Sequence, residues 1–469
     1  MDLTSRTPNK VGVFYPLIGI VAASLVFHLH HDSQLPAIVL LFLSSLLACR
    51  EIFSEVNSPF NSAIGNGNVW ALVSLLLIFV LSPTIRFITK TQLPLVFASR
   101  DTETNINQVY CLASVAIFSV VLGNRVLLNK PNRTQAAQNI LIHRGGRPSM
   151  TLSIFVVTFW LLLYVYWAIS KGNPIIAIFG SRNSQQAVGI IKSNGYLVDS
   201  LYGALGVLTA WLAYAVGCSN KRLIFKISLS CLLFVIPSFL QGDRSKFIYH
   251  LIVIAIILTS SSKKIKRRYL LVALFLVPIL IVAPRVYRQS NADIANIGSS
   301  AFSINNITET FTKEDTAMAP ALSILLNNLS TNIRYQYGLS YLNLVAKPIP
   351  RALWPGKPLE FDTQMMRVLF PKYAAAGVGF AFSAISEPLV NFGIFGVISF
   401  FFVLGLINRK MFGIMIQGSS AKSIFVNAWI AGFMFVLIRG NLSVDFQRAL
   451  FPLISGFAVL HFQRNRDLV

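Results

Sequence analysis

Three observations predict an all-α polytopic membrane protein with about twelve transmembrane helices and one long loop outside the bilayer. The chain has 469 residues, of which 54% are hydrophobic and 12% charged, and its mean hydropathy is +0.63; a soluble domain carries roughly 25% charged residues. Apolar stretches approaching the ~20 residues needed to cross a hydrocarbon core recur along it. The charged minority is lopsided, 40 Lys and Arg against 17 Asp and Glu, and those cations gather in alternate loops.

The apolar stretches lie at 11–29, 35–50, 68–85, 107–124, 151–169, 199–218, 222–240, 246–261, 269–287, 388–408, 423–439 and 447–463. The second and eighth are short, which snorkelling side chains at their ends accommodate. The polar start, MDLTSRTPNK, runs into the first stretch without a small-residue cleavage pattern, so that stretch reads as a retained span. Cytoplasmic loops retain Lys and Arg. With the N-terminus inside, inner segments hold 21 of the 40 cations, among them Arg50, Arg125, the run from Lys263 to Arg268, and Arg409 with Lys410. Both termini are then cytoplasmic. The chain divides into an N-terminal bundle of about nine spans over 1–287, a long outer segment over 288–387, and about three further spans over 388–469.

Some cations run against this trend. The turn QGDRSKFIYH, 241–250, places Arg244 and Lys246 on the outer side; Arg285 and Arg288 leave the ninth stretch there, and Arg439 and Arg448 flank the last outer turn, IRGNLSVDFQR. Positive charge thus recurs at one membrane face near one depth, where guanidinium forks suit a bound anion.

A connection of about 100 residues is uncommon unless it is functional. Within it, TAMAPALSILLNNLSTNIRYQYGLSYLNLV has apolar residues at helical spacing, predicting one or two short helices on the outer surface of the bundle. In KPIPRALWPGKPLEFDT, Pro348, Pro350, Pro355 and Pro358 forbid a helix and hold the backbone extended. Arg351 and Lys357 project from that strap toward phosphate oxygens, and Trp354 also fits as an interfacial anchor. The segment closes on SEPLVNFGIFG. Its Glu387 reads either as an exposed first-turn acid favoured by the helix dipole or as a general base facing the same cavity as the arginines. His250, one turn below Lys246, reads as an alternative base or as a packed polar residue.

Other chemistries lack their residues. There is no HExxH, no GxxxxGK[ST], no GxSxG and no DxD; the four cysteines and six histidines form no ligand set. No basic stripe is interleaved with exposed aromatics, so nucleic acid is not expected as a partner. No metal and no cofactor is expected.

The order of these features resembles that of bacterial O-antigen and oligosaccharide repeat-unit polymerases of the Wzy type. The likeness spans nearly the whole chain: many spans, a GDRSKF-like turn, an IPRALWPGKP-like strap in one long outer loop, and SEPLVNFGIFG leading out of it. It implies a GT-C-like helical glycosyltransferase in the inner membrane, working at the periplasmic face. The implied reaction moves a growing glycan from undecaprenyl pyrophosphate to an incoming lipid-linked repeat unit, among membrane lipids and with a chain-length-regulating co-polymerase as partner. Carried onto matching positions, Arg244, Arg351 and Glu387 become the catalytic candidates. Arg285, Arg288, Arg439, Lys246, Lys357 and His250 are the substrate-binding candidates by sidedness and position. The related ligases use a histidine in the long outer loop, and 288–387 contains none. A flippase or transporter is expected to show similar halves, and no such repeat is visible.

Overall fold

The computed structural model describes residues 10–29, 34–56, 62–90, 97, 105–127, 148–170, 172–179, 200–241, 244–260, 282–283, 318–346, 349, 354, 356–375, 379–418 and 420–462. Among these residues there is no strand, only an isolated bridge between Leu329 and Ile333. The main helices are α1 (Lys10–Leu29), α2 (Gln34–Val56), α3 (Gly67–Thr89), α4 (Ile106–Val126), α5 (Met150–Ile169), α6 (Ser200–Gly217), α7 (Lys221–Leu240) and α8 (Arg244–Thr259). They continue with α9 (Met318–Asn328), α10 (Phe361–Leu369), α11 (Ser386–Gly418), α12 (Ala421–Arg439) and α13 (Leu442–His461).

Eight of these helices, α2 to α7 with α11 and α12, are long and apolar enough to cross a membrane. The chain is a multi-pass membrane protein. The expected count of about twelve is not reached by that measure. α1 and α8 offer shorter apolar runs, α13 opens with Asp445 and Arg448, and the ninth expected stretch, 269–287, lies outside the described residues except for Val282 and Ala283.

Residue size decides which helices go inside. α4 is apolar on every side and buried along its length, which is the pattern of an interior helix. It packs on α1, α2 and α11. The crossing with α11 is close because two glycines meet: a Cβ on Gly123 would fall 2.3 Å from the Phe402 carbonyl oxygen, and one on Gly405 would fall 2.5 Å from that of Val120. Small residues that let backbones touch are the usual basis of helix association in lipid. α5, by contrast, turns Phe155, Leu162 and Tyr166 outward as lipid-facing surface.

The outer segment differs from expectation in one respect. α9 was expected on the surface, yet Met318 to Leu326 are all buried, packed on α4, because MAPALSILL has no polar face to leave in water. α10 has no counterpart in the sequence reading, since the prolines before it dominate the local pattern. It buries Phe361, Met365, Met366 and Leu369 on one face.

Polar residues concentrate at the two ends of the bundle. At one end the Arg125 guanidinium pairs with Glu51, its Nε donating over 2.9 Å. Asn124 Nδ2 donates to the same carboxylate over 3.2 Å. Asn68 Nδ2 donates to Asn124 Oδ1 and to the Gly405 carbonyl, and Asn408 Nδ2 donates to Asn68 Oδ1. Arg409 reaches Glu55 at 3.4 Å. Arg125 and Arg409, assigned to the same face from sequence, therefore meet acids from α2. Glu387 lies 22 residues before Arg409 along α11, about 33 Å at roughly 1.5 Å per residue, so the second polar cluster sits at the opposite end.

Removing one partner of a buried ion pair leaves the other charge uncompensated, at about 3–5 kcal/mol. Glu51→Ala is therefore expected to lower the melting temperature in detergent by several degrees. Gly123→Leu is expected to disrupt the α4–α11 crossing, seen as loss of the monodisperse peak in size-exclusion chromatography; unchanged melting in both variants would remove these contacts from the account.

Candidate active site

At the end opposite the Glu51–Arg125 network, a cavity of about 450 Å³ opens between α10, the junction of α12 and α13, and the first turn of α8. Its charged lining comprises Asp362 and Arg367 from α10, Arg439 at the last position of α12, and Asp445 and Arg448 from α13. Ser245 reaches it from α8, while Phe380 and Val436 are among the apolar parts of the wall.

Local structure explains why these groups converge. α13 starts at Leu442, so Asp445 lies in its first turn, where the exposed backbone N–H groups favour negative charge. Arg448 follows three residues later on the same helix face and ion-pairs with it. The chain passes from α12 to α13 through Gly440, where a Cβ would lie 1.7 Å from Asp445 Oδ2; only glycine lets the carboxylate sit there. Asn441, flanking the helix start, does not cap it. Its side-chain amide donates instead to Asp362 Oδ1, joining α10 to the turn.

Glu387 does not line this cavity. It is buried, 1% exposed, with Oε1 accepting from the Ser340 hydroxyl at 2.8 Å and Oε2 accepting from the Ser443 N–H at 3.2 Å. That N–H is the second of α13 and has no intrahelical partner, so a carboxylate from α11 caps a helix it does not belong to. Asn391, one turn further along α11, donates to the Ser340 hydroxyl at 2.7 Å and accepts from the Gly338 N–H at 2.7 Å. Glu387 does lie in the first turn of α11, but it is buried, where the first-turn reading had it exposed, because its carboxylate turns inward onto Ser340 and the start of α13.

The other candidates divide. Arg439 lines the cavity. Lys246 is buried below it with Nζ over the Tyr202 ring at 5.7 Å. His250 is fully buried against Tyr202, Tyr249 and Trp429, with ring centroids 4.3, 4.9 and 5.9 Å away, in keeping with the packed polar reading. Lys357 folds back within the strap, Nζ donating to the Ile349 carbonyl at 3.1 Å. Arg244 opens α8, but its side chain lies outside the described residues, as do Arg285, Arg288 and Arg351 altogether. Asp362, Asp445 and Arg367 were not singled out from sequence. The signal present was the acid at the start of α13 three residues before Arg448, an ordinary helical spacing; for Asp362 there was none.

Asp362 keeps an opening toward the cavity within dense surroundings. Enclosure pushes its carboxyl well above the usual carboxylate range; Asp445, Glu387 and Glu360 push the same way, and the Phe382 N–H draws it partly back. A carboxyl raised on folding contributes stability that is complete below its unfolded value, near pH 4, and is lost as pH rises through the folded value. Asp362→Asn removes that loss. Its melting temperature is expected to gain on the parent from pH 4 upward, and a difference independent of pH would contradict the raised carboxyl.

Among the described residues, no group of three His, Cys, Asp or Glu side chains is placed to hold a metal ion. Neither curated proteins nor solved structures provide a match to this chain. The family model described as O-antigen polysaccharide polymerase Wzy matches residues 11–462, nearly the full length. A many-helix membrane chain, matched end to end by that model, belongs to the O-antigen polysaccharide polymerase Wzy family.

Proposed function

We propose that this protein polymerises lipid-linked oligosaccharide repeat units, moving the growing glycan from undecaprenyl pyrophosphate to an incoming undecaprenyl-pyrophosphate-linked unit. Family membership establishes a polymerising enzyme of glycosyltransferase type acting on lipid-linked repeat units. One observation carries the finer reading: three guanidiniums, Arg367, Arg439 and Arg448, and two carboxyls, Asp362 and Asp445, share one cavity at the end of the bundle that the charge distribution makes periplasmic.

The reaction asks for two things. An acceptor hydroxyl oxygen attacks the anomeric carbon of the donor glycan, and the bond from that carbon to the pyrophosphate oxygen breaks, leaving the electron pair on the lipid pyrophosphate. Fixed guanidiniums aimed at that oxygen stabilise the charge as it develops, in a role a divalent metal otherwise fills. The proton of the acceptor hydroxyl passes to a carboxylate. Asp445 is the group for this step because it faces the cavity, whereas Glu387 acts one layer behind by holding the first turn of α13. Asp362, whose carboxyl is raised by its enclosure, accepts from the Asn441 side-chain amide in the same wall. On the sequence alone, Arg244, Arg285, Arg288 and Arg351 are further candidates for binding the anionic carrier, and Lys246, Lys357 and His250 for binding substrate. The working face is periplasmic, in an inner membrane, and both termini are cytoplasmic.

Purified protein given synthetic lipid-linked repeat units in detergent with chelator is expected to produce a ladder of longer glycans. Arg439→Ala and Arg448→Ala should each slow it by roughly 100-fold, the scale of losing one preorganised donor. Asp445→Asn should lower kcat by about 100-fold or more while leaving donor binding intact. Glu387→Gln should lower activity less and reduce the melting temperature. Movement of labelled lipid across vesicles with no ladder would replace the transferase reading with a flippase.

A further inference from the structure

Residues 335–346, YQYGLSYLNLVA, contain no charged side chain. They leave the outer segment as a turn at Gly338, a 3₁₀ turn at Leu339–Tyr341 and a short helix at Leu342–Ala346. The segment has two unlike sides. Its inward side is polar and hydrogen-bonded: the Ser340 hydroxyl donates to Glu387, Asn343 Nδ2 donates to the Leu359 carbonyl at 2.9 Å, and the Gln336 and Tyr337 N–H groups donate to the Val390 and Asn391 carbonyls. Its outward side is apolar: Tyr337 is 78% exposed, Leu339 63%, Leu342 57% and Val345 77%.

That distribution inverts the pattern of a loop in water, where the backbone faces out and apolar groups face in. Soluble proteins rarely leave a contiguous apolar patch of this kind uncovered. The patch also has a neighbour that identifies its environment. α11 breaks at Phe392 and Gly393, with φ of +61° at the glycine, and Phe392 and Phe395 are exposed immediately beyond the break. The Phe392 ring lies 3.2 Å from where a Cβ of Gly338 would sit, and Tyr335 lies 3.9 Å from that of Gly393. The apolar surface of a membrane-spanning helix therefore continues without interruption onto the segment, at the level where that helix starts.

We propose that Tyr335–Val345 is a lipid-seated element: Tyr337, Leu339, Leu342 and Val345 rest in the boundary between headgroups and acyl chains, and its partner is the phospholipid bilayer itself. Tyrosines at the rim and aliphatic groups between them are the composition of an interfacial segment. The seat is joined to the cavity through two bonds, Ser340 to Glu387 and Ser443 to Glu387, so it sets the depth at which the first turn of α13 stands relative to the headgroups. The inference stands on exposure and contiguity and does not depend on the chemistry assigned to the cavity.

The test is collision accessibility of nitroxides in the full-length protein, its native cysteines replaced, reconstituted in phosphatidylethanolamine–phosphatidylglycerol liposomes. Labels at Tyr337→Cys, Leu342→Cys and Val345→Cys are expected to give a severalfold higher ratio of oxygen to nickel-chelate collisions than a label at Asn332→Cys, an exposed polar site nearby. A ratio equal to that at Asn332 means water, and low collisions with both reagents mean a protein partner; either overturns the proposal. Should the cysteine-depleted chain fail to fold, the unaltered protein in liposomes carrying a diazirine phospholipid gives a second reading. Cross-links within 335–345 are expected, and cross-links confined to the spanning helices overturn the assignment. A glycan ladder that persists while the labels report water would separate failure of this inference from failure of the polymerase reading.

Discussion

Glu387 joins three parts of the chain that are far apart in sequence. One oxygen holds Ser340 in the outer segment, the other holds the Ser443 N–H at the start of α13, and the residue itself begins α11. A buried carboxylate without donors would be costly, and a helix start without acceptors would leave orphan N–H groups; each settles the other. The geometry of the candidate active site follows from this arrangement. Asp445 and Arg448 project from the turn that Glu387 fixes, and Arg439 ends the helix just before it.

The bundle below supplies the stiffness. α4 and α11 meet glycine to glycine, so their backbones are in contact where neither can rotate freely. Beside that crossing the Glu51–Arg125 pair and the asparagines on α3, α4 and α11 tie the same helices together through hydrogen bonds, one of them from Asn68 to the Gly405 carbonyl itself. Hydrogen-bonded buried networks favour one packing because a shifted packing breaks their bonds and leaves more polar groups unpaired. Two polar clusters at opposite ends of apolar helices thus set the register of the bundle, and the one that contains Asp445 and Arg439 lines a cavity.

Much of the fold was legible because hydropathy and helical spacing are local. Eleven of the twelve expected apolar stretches coincide with helices, and the alternation of cations separated Arg125 and Arg409 from Arg439 and Arg448 correctly by end. The site was legible in part. Arg439 was found by its sidedness. His250 reads in sequence as a base or a packed residue, and in the fold it lies buried among Tyr202, Tyr249 and Trp429. Asp362 was invisible: its relation to the cavity depends on Asn441, 79 residues away, and on α10, whose amphipathic face follows a proline-rich strap that masks it.

The sequence by itself determined a helical multi-pass membrane protein and where most of its apolar helices lie along the chain, because burial in lipid demands long apolar helices and leaves charge mainly at their ends. Tertiary structure alone decided which acid faces the cavity and which is hidden. Glu387 and Asp445 are both first-turn carboxylates and look alike in sequence. They differ in what they meet: the Glu387 carboxylate accepts from Ser340 and from the Ser443 N–H at the start of α13, whereas Asp445 pairs with Arg448 in the cavity wall.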